Sequence, residues 1–164
     1  MSEHRPADDG IGYERDESPA HRFDRNYAEL LQELRVAQTG VQILFAFLLG
    51  IAFQPRFDEL GTGERSLYLV TLLSAALAAV LLIGPVAAHR VLFGRRRKDE
   101  LVTITGRLAS AGLVFLAVAI LCAVALIVDF VVNLAAALVV AGILGAAVLL
   151  VWVVVPTRAR RRTP

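Results

Sequence analysis

Gln38 and Gln42 stand one helical turn apart inside a run of the chain, residues 36–55, that carries no charged side chain. A carboxamide both donates and accepts hydrogen bonds, and hydrocarbon offers it no partner. Two of them at i and i+4 therefore predict a polar stripe turned toward a neighbouring helix, the alternative being that they sit at headgroup level in contact with water, which suits Gln38 better than the deeper Gln42. Thr71 and Ser74, in the second apolar run, are the matching candidates for polar packing positions between helices. The same four residues could line a narrow pore in an oligomer, but the Ala and Gly ladders beside them favour close packing.

Other residues able to do chemistry are few and scattered. Asp129 is the only acid near the hydrophobic region, and inside a bilayer it would be a proton or cation site. It falls 21 residues beyond Leu108, where a helix has already reached the far interface, so it reads as a turn or cap residue. His4, His21 and His89 never approach metal-ligand spacing, and Cys122 is the single cysteine, so neither a metal site nor a disulfide within the chain is expected. The sequence contains no phosphate-binding glycine loop, nucleophile elbow or pair of helical carboxylates. The expectation is a non-enzyme with no catalytic residues, cofactor or metal.

Two clusters of positive charge remain. Arg95, Arg96, Arg97 and Lys98 form one, and Arg158, Arg160, Arg161 and Arg162 the other. Each can contact anionic lipid headgroups at about 1 kcal/mol per basic residue near a negative surface. No aromatic or groove-reading element accompanies them, so nucleic acid is not an expected partner. Their sufficient explanation is topological.

The elements that must position these residues follow from composition. Hydrophobic residues make up 57% of the 164, more than a soluble domain of this size can hide. Four runs free of charge, 36–55, 67–89, 108–128 and 130–157, each meet the ~20 residues needed to cross a hydrocarbon core of about 30 Å. A soluble bundle would need a polar face on most helices, and residues 113–128 have none. The expected fold is all-α: a polytopic membrane protein, an up-down antiparallel bundle of four transmembrane helices over about 36–55, 67–89, 108–128 and 134–155.

Around this domain, 24–157, lie a tail at 1–23 expected to be disordered and a basic tail at 158–164. Asn26 and Glu29 have capping-box spacing and predict that order begins there, with Tyr27, Leu30, Leu31 and Leu34 on one stripe running into the first span. Gly84 and Pro85 predict a kink late in the second span, and Gly94 a helix stop after it. Asn133 is a suitable N-cap for the fourth. Ser74/Ala78, Ala75/Ala79 and the ladder Ala137, Ala141, Gly145 are small-residue pairs that permit close helix approach.

Of the 17 Arg and Lys residues, 15 fall before residue 36, between the second and third spans, or after the fourth; only Arg56 and Arg65 lie between the first and second. The positive-inside rule therefore puts both termini in the cytoplasm of a plasma-membrane protein. The N-terminal 35 residues carry nine acids against five bases, so an acidic tail and two basic segments share one face.

The runs "RDESPAHRFDRNYAELLQELRVAQTGVQILFAFLLGIAFQPRF", "RSLYLVTLL" and "PVAAHRVLFGRRRKDELV" resemble a family of small actinobacterial integral membrane proteins known only as a domain of unknown function. The likeness extends from about Arg15 to the end and is most distinctive in "ELLQELRVAQTGVQILFAFLL". It implies four membrane helices and assigns no activity.

The functional expectation is a structural or interaction module that packs with a second copy of itself or another membrane protein. A small oligomeric transporter or channel using the Gln38/Gln42 face is the alternative, and a membrane enzyme a more remote one. Neutralising Arg95, Arg96, Arg97 and Lys98 together should loosen the orientation, so that reporters fused to the C-terminus divide between the two membrane faces. A reporter pattern identical to the wild type would contradict orientation set by charge.

Overall fold

The computed structural model describes residues 19–92 and 98–160. Helix α1 is Pro19–Ile51, α2 Thr62–Leu92, α3 Lys98–Val131 and α4 Leu134–Leu149; a 3-10 helix, Pro55–Glu59, sits between the first two. Four stretches are long and apolar enough to cross a membrane: Ala28–Ile51, Thr62–Ala88, Ile104–Val131 and Leu134–Arg158. At 24 to 28 residues they are about 36–42 Å long, which exceeds the hydrocarbon thickness. The all-α architecture with four membrane-length helices is thus the observed one.

Helix α1 starts earlier than the capping-box spacing suggests. Pro19 occupies the first helical position, where its fixed φ suits the helix and its missing N–H breaks no bond. Asn26 consequently lies inside α1 instead of capping it, and residues 19–23 are helical and not part of a disordered tail. Residues 1–18 lie outside the described residues, as does the Gly94 stop.

The far end of α1 unwinds into turns at Ala52–Gln54, and Pro55 opens the 3-10 helix. Arg65 holds this connection together: its Nε donates to the Leu60 carbonyl at 3.1 Å and its Nη2 to the Asp58 carbonyl at 3.0 Å. Glu64, in the first turn of α2, accepts from the Gly61 backbone N–H at 2.7 Å, which is half of a capping box.

Helix α2 continues through Pro85 to Leu92. At the other reversal the side chain of Asn133 accepts from Ala136 N–H at 2.9 Å and caps α4, as its position after the third apolar run predicts. Asp129 is not in that turn. The apolar residues after it, Phe130 and Val131, prolong α3, so the carboxylate sits in the helix's last turn.

The fourth helical span, continuing beyond α4, also runs past its expected end. Pro156 has no N–H to give to the preceding turn, and the backbone adjusts by a π-helical segment, Leu150–Val154, in which Val155 N–H reaches the Leu150 carbonyl five residues back. Helix then resumes over Val155–Arg160.

Neighbouring helices are antiparallel. Gln38 meets Leu82 while Leu48 meets Tyr68, and Gly84 lies against Leu108 while Leu82 lies against Gly112. The helices pack in chain order, most extensively α2 on α3, then α3 on α4 and α1 on α2, with slight contact between α1 and α3. Both core clusters are drawn from α1, α2 and α3: Leu34, Val41, Ala78, Leu82 and Ala109 in one half, Leu48, Tyr68, Ala75, Ala119 and Leu126 in the other. Helix α4 contributes one buried residue, Ala137, whose ladder partners Ala141 and Gly145 are half-buried; Gly145 faces Leu121 of α3. The bundle is an open row.

The tightest approach is between α2 and α3. A Cβ on Gly112 would stand 2.8 Å from Leu82 Cγ and 3.2 Å from the Leu82 backbone nitrogen, so only glycine fits without moving α2. Gly112→Val should therefore lose about 1–3 kcal/mol of stability by overpacking, read as a lowered midpoint in detergent-mixture unfolding. Gly142→Val, with nothing within 4 Å of its Cβ position, is the control and should change little. Equal stability of the two variants would contradict the close approach.

Candidate functional site

Polar side chains inside the apolar region converge on the seam between α1 and α2. Leu34, Val41 and Leu48, seven residues apart, form the buried stripe of α1. Gln38 lies about 60° round the helix from Val41 and Gln42 about 100°, on the same side. That difference separates them. The Gln38 amide, half-buried, donates through Nε2 to the Leu82 carbonyl of α2, whereas Gln42 is exposed on the outside of the bundle. The two glutamines do not make the shared inward face that their one-turn spacing suggests, because the outer one has passed the edge of the contact.

The acceptor of Gln38 is well placed. Pro85 denies an N–H to the Leu81 carbonyl and crowds it, so the backbone ladder of α2 is weakened over this turn. A side chain from a neighbouring helix is one of the means by which a membrane helix accommodates a proline, and here it reaches the Leu82 carbonyl, next to the one that Pro85 frees. Pro85 is itself fully buried.

A second bond runs in the opposite direction. Tyr68 of α2, 3% exposed, donates its hydroxyl to the Leu48 carbonyl at 2.9 Å. Leu48 is in the last turn of α1, where carbonyls run out of partners along the helix. The Tyr68 ring also meets Phe57 of the 3-10 helix edge-to-face, with centroids 5.0 Å apart. Neither Tyr68 nor Phe57 is among the residues that spacing alone singles out. The available signal was a tyrosine hydroxyl inside an apolar run, which needs a partner when buried.

Thr71 and Ser74 are buried on α2, and Thr105 on α3. Thr71 returns its hydroxyl to the Leu67 carbonyl of its own helix at 2.7 Å, so it contributes packing and no bond across helices. Thr71 and Ser74 lie eight or more residues from Leu82, about 12 Å or more along α2. The buried polar residues are therefore spread along α2 and α3 and do not gather at one point.

At the opposite end of α2 from Leu82, Arg56 stacks over the Phe130 ring at 5.2 Å and pairs with Glu59 at 3.5 Å. Beneath them lies an apolar cavity of about 170 Å³ bounded by Ile51, Phe57, Leu60, Leu126, Ile127 and Phe130. Asp129, half-buried, makes no ion pair or hydrogen bond among the described residues. Cys122 is half-buried within α3. Among the described residues no three His, Cys, Asp or Glu side chains come together.

Of the basic candidates, Arg158 is exposed, Lys98 begins α3, and Arg160 ends the last helical turn. Arg95, Arg96, Arg97, Arg161 and Arg162 lie outside the described residues.

Residues 16–156 match a family of unknown function, DUF6328. The chain belongs to that family. No curated protein and no solved structure matches it. The DUF6328 region contains the whole α1–α2 seam, with Gln38, Leu48, Tyr68, Leu82 and Pro85, and stops before Arg158. This DUF6328 protein is a membrane protein with four apolar helices.

Gln38→Leu and Tyr68→Phe should each weaken the attachment of α1 to α2 by about 0.6–2 kcal/mol, the range for hydrogen bonds between membrane helices. The two bonds sit ten residues apart on α1, about 15 Å, so the double variant should lose the sum. Detergent-mixture unfolding of the four proteins measures this. A Tyr68→Phe protein as stable as the parent would remove the hydroxyl from the account.

Proposed function

We propose that this protein is a non-enzymatic helical module of the plasma membrane whose role is association: it packs, within the bilayer, with a second copy of itself or with another membrane protein. Its N- and C-termini are cytoplasmic, and its basic segments, including Arg95 to Lys98 and Arg158 to Arg162, rest against anionic headgroups. The division of 15 basic residues against two supports that orientation.

The observation that carries the association reading is the open packing. Helix α4 leans on α3, α1 leans chiefly on α2, and α1 and α4 share no substantial contact. The row thus leaves the outer face of α1 uncovered and with it the exposed Gln42 carboxamide, which lipid does not satisfy, whereas the uncovered face of α4, with Leu138 and Ile143, is apolar and needs no partner. The polar groups of the α1–α2 seam act as fasteners: Gln38 and Tyr68 each donate one hydrogen bond to a backbone carbonyl of the other helix. This is the economy of a rigid scaffold.

The reading is tested by extracting the full-length protein directly into native-lipid discs and weighing single particles. More than one transmembrane chain per particle, whether a second copy or a different protein, is expected. Particles holding one copy and no other membrane protein would overturn it.

A further inference from the structure

We propose that α1 carries a self-association surface, Thr39, Gln42, Ala46 and Gly50, on which a second copy of the chain docks with its own α1. The proposal rests on the association reading above and gives it a surface and a partner. These four residues are spaced 3, 4 and 4 apart, lie within an arc of about 80° on the helix, and are all exposed.

Gln42 decides which face is used. It stands seven residues past Arg35, about 10 Å deeper along the helix, inside the charge-free run 36–55. Among the described residues its carboxamide has no hydrogen-bond partner. Thr39 is different, since its hydroxyl is returned to the Arg35 carbonyl at 3.0 Å. Gln42 is thus a donor and acceptor standing in hydrocarbon, where no water can satisfy it. Lipid tails cannot cover it.

The second copy is the occupant whose chemistry is already known to match. A carboxamide is self-complementary, so two Gln42 side chains related by a twofold axis along the membrane normal each donate to and accept from the other. Copies inserted in the same orientation bring equivalent depths together, as that axis requires. Past Gln42 the surface turns small: Ala46 and Gly50 are a small-xxx-small pair, and a Cβ built on Gly50 meets nothing within 4 Å. Two backbones can therefore close on each other there, with Ile43 and Phe47 flanking. Arg35, at the headgroup level, has a stem long enough to turn its charge aside.

Helix α4 offers a contrasting surface. Gly142 and Ala146 also form an exposed small-xxx-small pair, but every exposed side chain of α4 from Leu134 to Leu149 is apolar and is satisfied by lipid.

The test uses the full chain with Cys122→Ala, carrying one new cysteine at Ala46→Cys or at Ala146→Cys, in membranes, under mild oxidation. Ala46→Cys should give a disulfide-linked dimer and Ala146→Cys should not. In parallel, energy transfer between labelled copies diluted into phospholipid vesicles gives the association constant, which Gln42→Leu should reduce about 3- to 30-fold while unfolding of the monomer is unchanged. Linkage through residue 146 and not 46 would overturn this surface while leaving association intact. An association constant unaffected by Gln42→Leu would also overturn it. Single-copy particles with no linkage at either position and no other membrane protein would overturn both this inference and the association reading.

Discussion

Three helices meet at Leu82. Its carbonyl accepts the Gln38 amide of α1, its side chain is fully buried, and its Cγ lies where a Cβ on Gly112 of α3 would have to go. The position depends on what surrounds it in the chain. Gly84, two residues on, lets Leu108 of α3 approach, and Pro85, three residues on, loosens the backbone ladder of α2 so that a carbonyl in this turn profits from an outside donor. A chain with alanine in place of Gly112 or a branched residue at Gly84 could not bring α3 this close, and a chain lacking Gln38 would leave α1 without its inner fastening.

The reason such a node matters is the solvent. In water an apolar face gains by leaving the solvent, but lipid tails are as apolar as the faces, so helices are held by close contact and by polar groups that have nowhere else to go. Helix α1 has the lowest mean hydropathy of the four spans, 1.6 against 2.4 to 3.0. It is fastened by two hydrogen bonds, one given by α1 near its middle and one received near its end. The α2–α3 pair relies instead on fit, with Ala75, Ala78, Ala109, Gly112 and Ala119 buried. Both solutions are used, each where composition permits it.

Much of this was legible in the sequence, for reasons of scale. A span of 20 uncharged residues is a long signal, so four helices, their antiparallel order and the all-α class followed without reference to any single position. Asn133 was legible because a cap is a local device, needing its own side chain and an N–H three residues on. The start of α1 was misread because Asn26 and Glu29 have cap spacing while Pro19 offers an earlier and equally suitable first turn. The divergence of Gln38 and Gln42 was hidden because four residues are not a whole number of turns. The ~40° left over is enough, at the edge of a contact, to put one side chain in and the next out. The peripheral place of α4 left no trace in its sequence, since a helix that is apolar all round looks the same whether its neighbours are helices or lipid.

That last point reverses a rule brought from soluble proteins, in which an exposed apolar patch marks a binding surface. On α4, exposed Leu138, Val139 and Ile143 mark nothing by themselves, because hydrocarbon is an adequate partner for them. On α1 the uncovered polar side chain is the informative one. Gln38 and Gln42 carry the same group, stand one turn apart and face the same solvent, yet one is bonded and one is not. The physical asymmetry between two identical residues, and not the extent of the apolar surface, is what the self-association proposed for α1 rests on.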